Sequence, residues 1–302
     1  MVLFIKEIAM HKDCFQCDMK QVKKISQLLA LHQDEEDLLD KKVKKYLQSC
    51  DMTKTNPEIM GDIWKLMEDI THRKNPYQKI KSYYNHYMMS LLPQIKDYIH
   101  QDFMTALKVT IAGNLIDFSA KDNINKEDIE KIIFQAKNLS LTIDDSQELF
   151  SRLKESRTLL YLGDNCGEIV LDRLFLMMIK ERYPNLQIYY GVRGKDIVND
   201  VTLDDAKEVS MQGVATVIDN GDGSLGTVLS KISNNFQKLF WDVDVVICKG
   251  QGNYEGLMDC QKEQLYFLFM VKCAVVSKWA GVPMNSIVCQ KGSAFQESKE
   301  CF

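Results

Sequence analysis

Residues 158–168 read TLLYLGDNCGE. A short apolar run stops at Gly163, crosses a glycine- and Asx-rich turn and enters a stretch to Tyr183 whose apolar residues recur at helical spacing. A buried strand, a tight turn and an amphipathic helix form the repeating unit of an α/β sheet. The unit recurs toward the C-terminus. Residues 187–191 lead into VRGKDIVNDVTLDDA (192–206), and residues 216–218 into DNGDGSLG (219–226) and a helix near 227–240. Residues 243–247 lead into CKGQGNYEG (248–256), and 266–271 with 286–289 form a last strand pair. Strands alternating with helices predict a Rossmann-like, three-layer α/β/α domain with a mostly parallel sheet.

Upstream, the period changes. Only Gly61 and Gly113 precede residue 160, whereas thirteen of the fifteen glycines follow it. All five histidines, His11, His32, His72, His86 and His100, lie in the first third. Scarce glycine and apolar residues at three- and four-residue steps predict helices. Val22, Ile25, Leu28, Leu29 and Leu31 form one face, and Ile59, Ile63, Leu66, Met67 and Ile70 another, after a start at Asn56-Pro57. Leu91, Ile95, Ile99, Phe103 and Leu107 continue the series, with further helices over 126–137 and 146–153. The expected organisation is a helical domain over 1–150 and an α/β domain over 151–302.

At 302 residues, 45% hydrophobic and 26% charged, the chain can bury a core without disulfide staples. A net charge of −4 argues against a nucleic-acid binder. No apolar run approaches the roughly 18–20 residues of a membrane span, and MVLFIKEIAMHKDC lacks the form of a secretory signal. Nine cysteines without a framework spacing suit free thiols in a reducing compartment, so a cytoplasmic location is expected.

In open parallel sheets, ligands bind outside the carboxyl ends of the strands. In GDNCGE the glycines suit a strand–helix turn, but Asp164, Asn165 and Glu168 gain nothing from burial alone. The acid that a dinucleotide fold carries after its second strand is missing, since Tyr190-Gly191-Val192-Arg193 stands there. In NDVTLDDA, Thr202 and Asp205 fit an N-cap with its capping-box acid as well as a site. Asp200 precedes the cap and is not required by it. Two strand-end carboxylates and a neighbouring amide form a hard oxygen-donor set, suited to Mg²⁺ or Mn²⁺. Lys249, at a strand end beside two glycines, is suited to hold a phosphoryl group; alone it would read as an exposed turn lysine. The loop 219–226 reads as flexible, with solvated carboxylates.

No histidine follows His100, which removes a Ser–His–Asp triad and a two-histidine zinc site from the α/β domain. His11, Cys14 and Cys17 have an HxxCxxC spacing, for which ordinary thiols are favoured over zinc. AGNLID (112–117) places a glycine and polar residues in an apolar stretch, either as a kink or as a face turned to the interdomain cleft.

In order, GDNCGE, RGKDIVNDVTLDDA, DNGDGSLGT, VVICKGQGNYEGL and Lys272-Cys273 resemble the metal-dependent damage-control phosphatases, long catalogued as a domain of unknown function. The early CxxC and AGNLID are similar to prokaryotic-type members, so the resemblance spans nearly the whole chain. It implies a divalent ion (Mn²⁺, Ni²⁺, Co²⁺ or Mg²⁺) held by Asp164, Asn165 and Asp200. It also implies Lys249 on the phosphate, with Asn253, Glu168 and Asn114 lining the site, and Asp164 and Lys249 as the catalytic pair. The implied substrate is a small phosphorylated metabolite: a sugar, nucleotide or cofactor-related phosphomonoester. The implied reaction is its hydrolysis. Two rivals remain at this level: a Rossmann-like S-adenosylmethionine-dependent carboxyl methyltransferase, as some eukaryotic relatives have been described, and a catalytically silent metal- or nucleotide-binding module. Leaving group, physiological ion and oligomeric state are not encoded in these motifs.

Overall fold

The computed structural model describes residues 11–114 and 125–292. Five helices open the chain: α1 (Lys12–Leu28), α2 (Gln33–Ser49), α3 (Asn56–Thr71), α4 (Gln78–Ile99) and α5 (Phe103–Gly113). Their starts follow from local chemistry. Pro57 sits in the first turn of α3, and Glu58 reaches back to accept from the Thr55 amide at 2.9 Å. Asp102 caps α5 by accepting from the amides of Met104 and Thr105.

After α6 (Lys126–Gln135) come β1 (Leu141–Asp144), α7 (Ser146–Glu155), β2 (Thr158–Leu162), α8 (Glu168–Arg182), β3 (Gln187–Val192) and α9 (Leu203–Glu208). The chain continues through β4 (Thr216–Asp219), α10 (Asn234–Asp242), β5 (Val245–Lys249), α11 (Gly250–Leu257), β6 (Leu265–Met270), α12 (Ala274–Ala280) and β7 (Ile287–Lys291). The strands form one sheet in the order β1-β7-β6-β5-β2-β3-β4. Strands β2 to β6 run parallel; β7 pairs antiparallel with β6, and β1 parallel with β7. The expected mostly parallel α/β sheet is present, with β1 as a strand that the helical reading of the early region does not anticipate.

The alternation of β2 sorts the layers. Leu159 and Tyr161 pack among residues of α4, α5 and α8, while Leu160 and Leu162 pack among residues of α10, α11 and α12. Helices α1 to α3 enclose a separate small core around Ile25, Val43, Ile63 and Trp64, which Ile197 and Val198 enter from the β3–α9 loop. From Met88 onward the helices share the core of the sheet. Among the described residues no helix is long and apolar enough to cross a membrane.

The connections reverse direction at β2, which has β3 on one side and β5 on the other. The loops that leave β2 and β5 therefore diverge to opposite layers and open a crevice above the strand ends.

Candidate active site

The crevice is built from three strand-end loops. After β2, Gly167 takes a positive φ (+78°) that turns the chain into α8. The segment after β3 is zipped onto this loop: Val201 N–H donates to Asp164 O and Cys166 N–H to Asn199 O, both at 2.9 Å, and Asn165 pairs with Asp200 in an isolated antiparallel bridge. The side chains of Asp164, Asn165 and Asp200 come together in this way. After β5, Gly250 (φ +78°) passes so close that a Cβ there would fall on the Asp164 carboxylate. Loop 219–226, expected to be flexible, is tied down instead. Asn220 Oδ1 accepts from the amides of Gly194 and Asp222, and Leu225 N–H donates to Pro57 O.

Asp164, Asn165 and Asp200 are nearly fully buried yet line a cavity of about 950 Å³ together with Asn199, Gln251, Glu255 and Lys272, and with residues of α1 and α3. Asp164 Oδ2 accepts from Asn114 Nδ2 at 2.8 Å and Asn165 Nδ2 at 2.7 Å. Burial, and then the carboxylates of Asp200 and Glu168, push the Asp164 carboxyl well above the ordinary aspartate range, against the opposing fields of Lys272 and Arg193. Arg193 Nε donates to Asp200 Oδ2 at 2.7 Å, and its Nη1 donates to Thr227. The Thr227 hydroxyl in turn donates to Asn253 Oδ1 at 2.8 Å, and Asn253 Nδ2 donates to the carbonyls of Gly163 and Lys249.

Lys249 lies one layer deeper. Its fully buried ammonium donates to Glu168, to Asp172 Oδ1 at 2.8 Å and to Thr110 O at 3.0 Å, which uses all three N–H bonds. Burial alone would lower its pKa, but Asp172 and Glu168 hold it raised. Asp172 also accepts from the hydroxyls of Tyr161 and Tyr190, at 2.7 and 2.9 Å.

A family model described as the damage-control phosphatase ARMT1-like domain matches residues 10–288. The chain belongs to that family. A damage-control phosphatase of Pyrococcus horikoshii is 35% identical over 197 residues, 65% of this chain and 68% of that protein. An uncharacterized protein of Methanocaldococcus jannaschii is 30% identical over 298 residues, 95% of this chain and 96% of the other. The crystal structure of a DUF89 family protein from Pyrococcus horikoshii matches with a TM-score of 0.84 at 26% identity, over 94% of this chain and 99% of that one.

In this ARMT1-like chain the residues anticipated from sequence occupy distinct depths. Asp164, Asn165 and Asp200 reach the cavity; Asn114 and Glu168 back Asp164; Asn253 braces the β2 and β5 loops from behind. Lys249, expected on a phosphate, is enclosed by its own three acceptors, and Lys272, after β6, is among the lysines that line the cavity, the others, Lys20, Lys23 and Lys24, belonging to α1. Arg193, Thr227 and Asp172 had no assigned role, although Arg193 and Lys272 carry the same signal as Asp164: a charge at a strand end. Thr202 and Asp205 form the helix start, with Asp205 Oδ2 accepting from the Thr202 amide at 2.8 Å, and Asp205 also pairs with Lys81. His11 caps α1 through Nδ1, and Cys14 and Cys17 are free thiols. Of AGNLID, residues 115–117 lie outside the described residues, as does Cys301. Among the described residues no group of three His, Cys, Asp or Glu side chains is arranged to hold a metal ion. The candidate donor set therefore depends on the Asn165 amide to join the two aspartates.

Proposed function

We propose that this chain is a divalent-metal-dependent phosphatase of metabolite repair that hydrolyses a small phosphomonoester. One observation carries the reading. Two buried carboxylates and an amide meet at the switch point of the sheet, on the wall of a cavity that also presents Lys272. The donor set fits a hard dication, because all its donors can be oxygens and because Asp164 is under repulsion from Asp200 and Glu168 that such a charge would relieve. Asp164, Asn165 and Asp200 would hold the ion. Bound there, it would supply Lewis acidity toward a phosphoryl oxygen and favour ionisation of water.

The chain's own residues do the rest. Lys272 meets the charge that grows on the phosphoryl oxygens, a role that needs position and electrostatics only. Asn114 orients the Asp164 carboxylate, and Arg193 fixes that of Asp200. Lys249 reaches a phosphoryl oxygen only by giving up one of its three acceptors. It serves instead as the counter-charge beneath the site. The methyltransferase alternative lacks support, since the residue just after β3, where a ribose-binding acid would stand, is Arg193, committed to Asp200.

The name of the Pyrococcus horikoshii relative, a damage-control phosphatase, agrees with this reading. The test is turnover of a phosphomonoester panel with Mn²⁺, Ni²⁺, Co²⁺ and Mg²⁺ added in turn. Asp164→Ala and Asp200→Ala are each expected to abolish ion-dependent turnover while the circular dichroism spectrum is kept. Undiminished turnover in either variant would reject the assignment.

A further inference from the structure

Part of the cavity wall comes from α1 and α3, which the site above does not use. Asp18, on α1, lines the cavity at 2% exposure, and its Oδ2 has no hydrogen-bond partner among the described residues. No other carboxyl oxygen among them is buried without a partner. Asp164 and Asp200 are held by Asn114, Asn165 and Arg193, and Glu255 Oε1 accepts from Gln251 Nε2 at 2.7 Å. Asp13, also on the wall, is exposed.

Charging a buried and unpaired oxygen is costly. Burial, and then the Glu255 carboxylate, accordingly push the Asp18 carboxyl up to about 8, so near neutral pH it keeps its proton. The thiols of Cys14 and Cys17, on the same helix, and of Cys273, after β6, share the wall, and burial raises all three, Cys14 to about 12. None of them releases a proton as readily as Asp18. The positive charge of the wall comes from Lys20, Lys23, Lys24 and Lys272. The cavity thus carries a neutral carboxylic acid on a wall that belongs to the helical part of the chain.

Hydrolysis of a phosphomonoester needs such a group. The transition state is loose, so the bond to the leaving oxygen is largely broken and that oxygen carries charge. An alkoxide leaves poorly unless a proton reaches it. Asp164, Asn165, Asp200 and Lys272 serve the phosphoryl end of the ester, and none of them supplies that proton. We propose that Asp18 is the general acid of the reaction and protonates the leaving-group oxygen. Water forms the new bond to phosphorus as the bond to the leaving group breaks. The electron pair of the broken bond stays on the leaving oxygen, which takes the proton from Asp18 Oδ2. The products are an alcohol and phosphate, and the proton that the attacking water gives up restores the acid. Asn56 Oδ1, at the start of α3, is a second buried atom without a partner on this cavity, and it can accept from the hydroxyl so formed. A volume of about 950 Å³ leaves room for a whole ester between the strand ends and α1.

The assignment rests on the phosphatase reading, and the experiment separates the two. With the metal-loaded chain, kcat/KM is measured for p-nitrophenyl phosphate, whose nitrophenolate leaves without a proton, and for an alkyl phosphate, glycerol 3-phosphate or a hexose 6-phosphate. Asp18→Asn keeps the size of the side chain and removes the acid. It is expected to lower kcat/KM for the alkyl ester about a hundredfold more than for p-nitrophenyl phosphate. In the wild-type chain, kcat/KM for the alkyl ester is expected to fall as pH rises and Asp18 ionises, a limb that the p-nitrophenyl phosphate profile lacks. An equal loss on both esters makes Asp18 structural and overturns the acid while leaving the phosphatase reading intact. Should Asp18→Asn fail to fold, the two wild-type profiles decide: superimposable profiles overturn the acid, and an alkaline fall confined to the alkyl ester supports it. Turnover of no phosphomonoester at all rejects the phosphatase reading and the acid with it.

Discussion

Lys249 shows how far depth separates two lysines at strand ends. Its ammonium closes a cluster with Glu168 and Asp172, out of reach of water, so removing the charge strands both carboxylates. Breaking a buried ion pair from one side costs about 3–5 kcal/mol. Lys249→Met is therefore expected to lower the unfolding free energy by about that much in urea titrations, whereas Lys272→Met loses turnover with little change in stability. Equal stability of the two variants would show that the buried cluster does not support the fold. Spacing alone distinguishes neither lysine, since both follow an apolar strand. Asp164, Asn165 and Asp200 are legible because polar residues at the ends of buried strands have no packing reason to be there. The orphaned atoms of Asp18 and Asn56 are not legible, because each belongs to a helix whose polar face reads as solvated until the fold covers it.

At the scale of elements, the site is a meeting of loops, and Gly250 is the contact between two of them. Its left-handed φ costs any other residue about 1–3 kcal/mol, and a Cβ would also displace the Asp164 carboxylate. Gly250→Ala is expected to reduce kcat/KM about a hundredfold, the order of loss for a misplaced reacting group. The far side of the sheet is not expected to move. A variant with wild-type turnover would mean that the β5 loop can retreat without cost. Most of the sheet is legible because β2, β3 and β5 are largely apolar runs with a glycine at or just past their ends. β1 escapes because LTID is only four residues long, alternates half-buried and exposed, and sits between two helical stretches. Its identity as a strand depends on β7, which supplies its only ladder partner among the described residues.

For the whole molecule, proton uptake sets a pH dependence opposite to that of most folded chains. Burial first, and neighbouring carboxylates after it, raise Asp164, Asp172 and Asp18, and burial raises Glu255 to about 7. From the ordinary aspartate value of 3.8 up to about 8, the folded chain keeps a proton on Asp18 that the unfolded chain releases. Stability contributed by this group is full below that window, falls as pH rises through it, and is lost above about 8. The metal-free protein is thus expected to melt at a higher temperature near pH 5 than near pH 8. Asp18→Asn is expected to flatten that slope, and an unchanged slope would mean that Asp18 ionises normally. The order of the strands has another consequence, for synthesis. Leu141 finds its partner in Ile287, so among the described strands β1 leaves the ribosome with no neighbour to pair with and must wait for β7. Domains usually fold from the first residues onward, but this sheet is completed at one edge by the earliest and latest of its described strands together.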